Sequence, residues 1–231
     1  MSHHFTVIKE DSATRARLGR LVTAHGEVAT PCFMPVGTQG TVKAILPRDL
    51  KEMGCQILLG NTYHLYLRPG HELIREIGGL HKFMGWHGPI LTDSGGYQVF
   101  SLGAMRKITD EGARFQSHLD GSSHLLTPEK AVEIQEALGS DIAMVLDECI
   151  PAGASRDYVR ISTERTVHWA RRCLRARGKP GQLMFGIIQG GLFEDLRRLC
   201  VDEMAGLPFE GFAVGGLGVG EGEAQLHGIA G

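Results

Sequence analysis

The segment PILTDSGGYQVF, residues 89–100, contains the structural unit from which we predict the whole fold. Its apolar run ends at a carboxylate, Asp93, which is followed by Ser94, two glycines and an aromatic ring. This order is typical of a buried strand that turns sharply into a helix, because glycine lets the backbone and a ligand approach closely. A flat ring beside a carboxylate also suits a flat ligand with hydrogen-bonding edges, such as a nucleobase. A capping aspartate in an ordinary turn explains this segment alone equally well.

Five other apolar runs resemble this strand, and helix-like segments separate them. The six runs cover residues 32–36, 57–61, 90–93, 141–147, 183–189 and 211–216. Most are almost continuously apolar, as parallel strands buried on both faces are. Thr127, Pro128 and Gly139 give the start and end signals of one intervening helix. The alternation, without a dinucleotide-binding glycine fingerprint, favours a parallel (β/α) barrel.

Two segments depart from this alternation. Residues 1–30 predict an antiparallel hairpin arm, and residues 114–126 alternate around Asp120-Gly121, a strong hairpin-turn signal. We therefore predict one α/β domain over residues 1–231 that belongs to the TIM-like (β/α)8 barrel class. It comprises the arm at 1–30, barrel strands one to six at 31–221 and a divergent tail at 222–231. A closed barrel of this class needs eight strands, so we expect an incomplete one.

A long helix is predicted over residues 155–177. Its apolar side is expected to carry Tyr158, Ile161, Trp169 and Cys173. Several arginines in this span fall around the helix rather than along one stripe, and acidic residues interrupt them. This pattern indicates a solvated outer helix rather than an RNA-binding face.

Composition and charge exclude several classes of protein. The 231 residues carry a net charge of −2 and are 42% hydrophobic, so they can form a sizeable core but lack the overall basic signature of a nucleic-acid binder. A basic-then-apolar signal peptide and an apolar run of about 20 residues are both missing, so we expect a cytoplasmic protein without membrane contact. The five cysteines have no close pairs. We therefore predict reduced thiols and no metal site in this chain.

Polar residues at the ends of the predicted strands are the candidates for chemistry, since active sites of barrels gather at the carboxyl ends of the strands. Asp93 ends the third strand and Asp147 the fourth, while Gln189 and Gly216 end the fifth and sixth. Two carboxylates, a carboxamide and a glycine turn are therefore expected to face one pocket.

These residue types suit a guanine-like ligand. One carboxylate can accept both N1–H and the exocyclic amine of guanine, while a carboxamide and a backbone N–H can donate to O6. Asp147, Gln189 and Gly216 meet that demand, with Tyr97 stacking on one face of the ring and Val36 closing the other. A helix-capping role for Asp147 and a backbone-satisfied buried amide at Gln189 remain the alternatives.

Four longer motifs resemble bacterial tRNA-guanine transglycosylase, also called queuine tRNA-ribosyltransferase. They are LGNTYHLYLRPG at 59–70, LTDSGGYQV at 91–99, SHLDGS at 117–122 and FAVGGLGVGE at 212–221. The resemblance extends from about residue 5 to about residue 221. It implies a TIM-like barrel that replaces guanine at the wobble position of tRNA with a 7-deazaguanine, in queuosine biosynthesis. The target base would be flipped out of its stack, as base-modifying enzymes require.

The resemblance also implies roles for individual residues. Asp93 matches the proton acceptor, and Leu217 matches the residue whose carbonyl meets the incoming aminomethyl group. Cys149 and Val219 are the types expected in bacterial members with a small pocket, so 7-aminomethyl-7-deazaguanine is expected rather than queuine. The expected substrate contacts are Asp93, Ser94, Gly95, Gly96, Tyr97, Asp147, Gln189, Gly216 and Leu217, with Val36, Cys149 and Val219 setting pocket size.

Other family features are expected to lie beyond residue 231. They are the aspartate that attacks ribose, the zinc site built from a cysteine cluster and a histidine, and much of the tRNA-binding surface. Zinc is therefore expected in the full-length family with its ligands absent here, and no organic cofactor is expected. The resemblance implies tRNA with a G-U-N anticodon and guanine or 7-aminomethyl-7-deazaguanine as partners, and a homodimer in the family. We expect the 231-residue chain alone to be nearly or wholly inactive.

Two other functions remain open from the sequence. A non-catalytic partner subunit would support tRNA binding or dimerisation, but it has little need for Asp93, Asp147 and Gln189 together. A barrel that holds phosphate in the glycine-rich segment 215–220 is the other, although this segment lacks the G-x-G-x-x-G spacing and a nearby lysine.

Overall fold

A computed structural model describes residues 4–102, 106–151 and 153–230. The first three residues of the predicted arm and the last residue of the predicted tail lie outside this part of the chain. The strands in the described residues are β1 (Phe5–Glu10), β2 (Arg17–Thr23), β3 (Gly26–Thr30), β4 (Val36–Gly37), β5 (Leu58–Gly60), β6 (Ile90–Thr92), β7 (Arg106–Ile108), β8 (Ala113–Gln116), β9 (Ser123–Leu126), β10 (Ile142–Met144), β11 (Leu183–Ile188) and β12 (Gly211–Val214). The helices are α1 (Pro47–Glu52), α2 (Thr62–Leu67), α3 (His71–Ile77), α4 (Leu80–Met84), α5 (Gly96–Leu102), α6 (Pro128–Leu138), α7 (Arg156–Ala176), α8 (Glu194–Ala205) and α9 (Glu223–Ala230).

The predicted parallel α/β architecture is confirmed. Six strands form one sheet in the order β4-β5-β6-β10-β11-β12. This order follows the chain once the inserted strands are set aside, whereas a doubly wound sheet reverses its order near the middle. Closure of such a sheet into a barrel stays a prediction.

The first predicted strand is placed wrongly. It was expected at residues 32–36, but β4 covers only Val36–Gly37. Pro31 precedes the expected segment and Pro35 lies within it, and proline has no N–H to donate to a sheet. Pairing begins at the second proline, whose carbonyl accepts from Leu59 N at 3.0 Å.

Both predicted antiparallel segments are present, and each has one strand more than expected. The arm is a three-stranded sheet in the order β1-β2-β3, and the insert has the order β7-β8-β9. The turn between β8 and β9 contains the predicted Asp120-Gly121, with Gly121 at φ +73° and Ser122 N donating to Asp120 Oδ1 at 3.1 Å. The third strand of the insert, β7, was not predicted.

The described chain divides into two compact units. The first comprises Met1–Asp93, Ile134–Ala143 and Gly178–Leu183, and the second comprises Ser94–Glu133, Met144–Arg177 and Met184–Gly231. Fully buried aliphatic side chains such as Leu65 and Ile74 form the core of the first unit. Trp169, Cys173 and Met204 are among the buried side chains of the second. The single barrel domain over residues 1–231 stays a prediction.

The buried face of α7 differs from the predicted one. Trp169 and Cys173 are buried as expected, but Tyr158 and Ile161 are each 41% exposed. In the first turns the buried positions are instead Val159 and Ser162, one residue further along. One residue corresponds to a rotation of about 100° on a helix, which moves a side chain from the core to the surface. Within the described residues, none of the helices combines the length and hydropathy needed to cross a bilayer.

Candidate functional site

Asp93 follows β6 in the first unit, and the start of α2 fixes its carboxylate. Thr62 N donates to Asp93 Oδ1 at 2.9 Å, and Asn61 Nδ2 donates to Oδ2. Thr62 Oγ1 also donates to the Asp93 carbonyl oxygen at 2.5 Å, while Asp93 N donates to Gly60 O at 3.2 Å. The N–H groups in the first turn of a helix have no partner within the helix, so a carboxylate is well placed there. Asp93 is therefore a half-buried carboxylate held in one orientation.

Asp147, Ser94 and Gln189 form a buried hydrogen-bonded group in the second unit. Ser94 Oγ donates to Asp147 Oδ1 at 2.8 Å, and Gln189 Nε2 donates to Asp147 Oδ2 at 2.7 Å. Ser94, Asp147 and Gln189 are 4%, 8% and 1% exposed, respectively. The helix-capping role considered for Asp147 is filled by Ser155, whose side chain accepts from Tyr158 N at the start of α7. The Gln189 amide nitrogen donates to a side chain rather than to the backbone.

Burial and hydrogen bonding act in opposite directions on the Asp147 carboxyl. Burial penalises the charged form and raises the pKa above the usual aspartate value, and the nearby Glu148 charge also acts upward. The hydrogen bonds from Ser94 and Gln189 favour the charged form and offset part of that shift. The net direction is upward. A ligand that donates hydrogen bonds to Asp147 would therefore stabilise a charge that the free protein holds at a cost.

Gln189 retains unused polar capacity. Among the described residues no donor reaches its buried Oε1, and only one of the two protons of Nε2 is needed for Asp147. A buried carbonyl oxygen without a partner is rare in folded proteins and costs about 1–3 kcal/mol. The orphaned oxygen marks the place as one where a polar ligand would complete the hydrogen bonding.

Two glycines allow the backbone to approach this group closely. A Cβ on Gly216 would lie 2.5 Å from Gln189 Oε1, and Gly216 has φ +65°. A Cβ on Gly96 would lie 2.6 Å from the Asp147 carbonyl oxygen, and Gly96 N donates to Ser94 Oγ at 3.1 Å. Side chains at either position would separate the groups that the fold brings together.

The segment after Gly216 folds over its own acidic residue. Val219 N donates to Glu221 Oε2 at 2.9 Å, and Gly218 N donates to Oε1. Gly216, Val219 and Glu221 line a cavity of about 80 Å³ together with Ile150, Val159 and Phe193. Leu217 is half-buried in the same segment.

The other predicted site residues differ in their surroundings. Cys149, two residues after Asp147 in the chain, is buried, and burial raises the pKa of its thiol to about 12. Tyr97 is 51% exposed at the start of α5, after Gly95 at φ +80°. Val36 lies on β4 in the first unit with 47% exposure.

Glu148, the residue after Asp147, forms a buried ion pair with Arg165. Arg165 Nη1 donates to Glu148 Oε2 and Tyr158 Oη donates to Oε1, both at 2.5 Å. Burial, followed by the hydrogen bond to Glu148, raises the pKa of Tyr158 to about 12. The pair anchors the chain next to Asp147.

A cluster of potential metal ligands in the first unit does not fit a zinc ion. His25 Nδ1 and His81 Nε2 lie 2.8 and 3.1 Å from the two carboxylate oxygens of Asp141. The rings stack with centroids 3.6 Å apart, so their in-plane nitrogens run side by side rather than toward one point. Zinc needs ligands about 2.0–2.2 Å away that converge on the ion, and the cysteines of the described residues contribute no such cluster. This group is a hydrogen-bonded network.

Sequence reasoning missed several contributors to the site. Asn61 and Thr62 appeared only within a family motif, and Ser94 was expected to contact substrate but not to donate to Asp147. Asn61 did carry a signal, because it ends the predicted strand beside the one that Asp93 ends. Arg197, described below, carried no signal in the sequence.

Comparison with known proteins agrees with these motifs. The profile of the family described as Queuine tRNA-ribosyltransferase matches residues 11–230. A queuine tRNA-ribosyltransferase of Pelotomaculum thermopropionicum is 58% identical over 98% of this chain and 61% of its own length. Relatives of the same name from Solidesulfovibrio magneticus and Desulforudis audaxviator are 61% and 60% identical over 94% and 96% of this chain, and 58% and 60% of their lengths. The chain thus spans about three fifths of the length of these relatives, and it belongs to the queuine tRNA-ribosyltransferase family.

Proposed function

We propose that this chain supplies the guanine-binding part of a tRNA-guanine transglycosylase that acts on the wobble base of tRNA with a G-U-N anticodon. The observation that carries the proposal is the buried Asp147–Gln189 pair, in which one proton of Gln189 Nε2 is not needed for Asp147. The names of the relatives, queuine tRNA-ribosyltransferase, support the reaction class.

The proposed base contacts follow from donor and acceptor chemistry. Ionised Asp147 accepts N1–H and the exocyclic amine of guanine, and the second proton of Gln189 Nε2 reaches O6. Gly216 N–H is the other donor to O6. Tyr97 offers an exposed ring for stacking.

Asp93 is proposed as the proton acceptor. The hydrogen bonds from Asn61 and Thr62 support this role because they hold the carboxylate in one orientation. A positioned carboxylate of this kind can take a proton from an entering base. Ser94, Gly95, Gly96 and Leu217 complete the proposed contacts, and Val36, Cys149 and Val219 set the size of the pocket for a 7-aminomethyl group.

We propose that the 231-residue chain binds the base without exchanging it, and that its six-stranded sheet forms part of a TIM-like barrel in longer relatives. A covalent ribosyl intermediate needs a nucleophilic carboxylate besides the proton acceptor. If Asp93 attacked ribose, the acceptor role would be left unfilled.

The test combines a binding and an exchange measurement on the purified chain. Guanine and 7-aminomethyl-7-deazaguanine are titrated calorimetrically into the wild type, Asp147→Asn and the exposed control Asp202→Asn. We expect equal binding by the wild type and the control and roughly 10- to 100-fold weaker binding by Asp147→Asn. Labelled guanine is then offered with tRNA carrying a G-U-N anticodon, with a full-length relative as positive control. Absence of base binding in the wild type would refute the proposed site, and incorporation of label would refute the proposed lack of turnover.

A further inference from the structure

Arg197 is a buried cation whose guanidinium donates hydrogen bonds to backbone carbonyls rather than to a carboxylate. It lies on α8 and is 7% exposed. Its Nε donates to Gly191 O at 2.8 Å, Nη1 to Ile188 O at 3.2 Å and Nη2 to Gly215 O at 3.0 Å. Among the described residues it has no salt bridge. Burial lowers the pKa of Arg197, which shows that the fold holds this charge against a desolvation penalty.

Two of these carbonyls belong to the peptide units that precede the proposed base-reading residues. The Ile188 carbonyl shares its peptide plane with Gln189 N–H, and the Gly215 carbonyl shares its plane with Gly216 N–H. A trans peptide is planar, so a donor that fixes the carbonyl also fixes the direction of the opposite N–H. Arg197 therefore holds the carbonyl of the peptide whose N–H belongs to Gly216.

The close contact of α8 with these segments depends on glycine. A Cβ on Gly190, which has φ +138°, would lie 2.6 Å from Arg197 N. Ile188 O also accepts from Gly215 N at 2.9 Å, so the ends of β11 and β12 meet at the same guanidinium. A planar guanidinium presents its donors in a fixed fork, which a flexible ammonium does not reproduce.

We infer that Arg197 is a positioning residue for base recognition: it orients the Gly215–Gly216 peptide and polarises it, so that Gly216 N–H donates to O6 of the base. This inference rests on the proposed function. Polarisation adds to orientation because hydrogen bonds in a chain strengthen one another. Arg197 itself does not contact the base; it acts through the peptide.

The experiment compares Arg197→Lys and Arg197→Gln with Arg198→Gln in the 231-residue chain. Arg198 is the next residue on α8 and is exposed, and its ion pair within the described residues is with Glu194. The ligand-free proteins are examined by the ¹H–¹⁵N signals of Gly216 and Gln189, and guanine and 6-thioguanine are titrated by calorimetry. Thermal unfolding is followed in all variants, and the lysine variant serves as the folded case if the glutamine variant does not fold.

We expect both Arg197 variants to move the Gly216 amide signal, with Arg198→Gln unchanged. Arg197→Lys should weaken the binding of guanine about tenfold, equivalent to about 1.4 kcal/mol. The binding of 6-thioguanine should weaken less, because sulfur is a poorer hydrogen-bond acceptor than oxygen. Equal weakening of both bases, or an unmoved Gly216 signal, would overturn the inference. If the wild type bound no guanine, the proposed function would fail, and the amide signals would still decide whether Arg197 fixes this peptide.

Discussion

Gln189 Nε2 and Asp147 Oδ2 are joined by a 2.7 Å hydrogen bond between two buried side chains. The bond settles the orientation of the amide, because its nitrogen must face the carboxylate. It also leaves the amide oxygen without a partner in the described residues. Apolar side chains of similar volume would stabilise the fold at least as well, so stability alone does not explain this buried polar pair.

The first prediction concerns Asp147→Asn. The change removes a buried carboxylate whose pKa is raised, so the free energy of unfolding at pH 7 should rise by about 1 kcal/mol. Guanine affinity should fall roughly 10- to 100-fold, since charge-assisted hydrogen bonds contribute about 1.5–3 kcal/mol each. Chemical denaturation and calorimetric titration measure the two effects.

The pH dependence of this variant follows from the sign of the shift. A raised pKa means that the folded state holds the proton more tightly, so wild-type stability contributed by Asp147 declines as the pH rises. Asp147→Asn should lack that decline. A variant less stable than the wild type at pH 7 would contradict this account of the pair.

The second prediction concerns Asp141 and acid. Burial raises its pKa, but hydrogen bonds from His81, His25 and Ile90 N outweigh burial and lower the pKa to about 2. Its contribution to stability is therefore present above about pH 4 and is lost as the pH falls toward 2. Asp141→Asn should cost about 2 kcal/mol at pH 7 and much less near pH 2. Unfolding curves at both pH values test this, with Asp202→Asn as the exposed control.

The third prediction uses two glycines with similar backbone angles. Gly216→Ala would place its Cβ 2.5 Å from Gln189 Oε1, whereas Gly218→Ala meets no atom within 4 Å. Both have positive φ, so both should lose about 1–2 kcal/mol of stability. Only Gly216→Ala should also abolish guanine binding, and equal affinity in the two variants would contradict the proposed role of the close contact.

The fourth prediction concerns Val219→Gly. Val219 lines the cavity of about 80 Å³ beside Gly216, so removal of its side chain should enlarge the space for a substituent at position 7. Guanine affinity should change less than about threefold, because guanine has no substituent at position 7 to contact the methyl groups of Val219. Queuine binding should appear. No gain in queuine binding would remove Val219 as the determinant of size.

Local signals in the sequence predicted the elements whose causes are local. The helix α6 and the turn at Asp120-Gly121 formed where capping residues and glycine indicated them. The six parallel strands were found from apolar runs, but their bounds were too long, and prolines displaced the first one. In α7 the period was right and the phase was wrong at Tyr158 and Ile161. The Tyr158 hydroxyl donates to Glu148, which lies outside the helix, and helical spacing alone does not specify that contact.

Tertiary contacts explain what could not be predicted. Asn61 meets Asp93 across 32 positions of the chain, and no local pattern specifies that pairing. The burial of Arg197 could not be predicted for a different reason. An arginine on an amphipathic helix ordinarily points to water. Here it is buried because it donates to the carbonyls of Ile188 and Gly215, at the ends of two strands.

Strand β12 has a practical consequence for work in solution. Within the described residues it pairs with β11 alone, and Phe212 and Val214 on it are 46% and 59% exposed. An open strand with apolar side chains is a template for strand addition by a second copy. Light scattering of this chain should therefore rise with protein concentration, and charged substitutions at Val214 should suppress it. Preparations kept dilute, or altered at that position, are the ones in which ligand binding can be read without interference from aggregates.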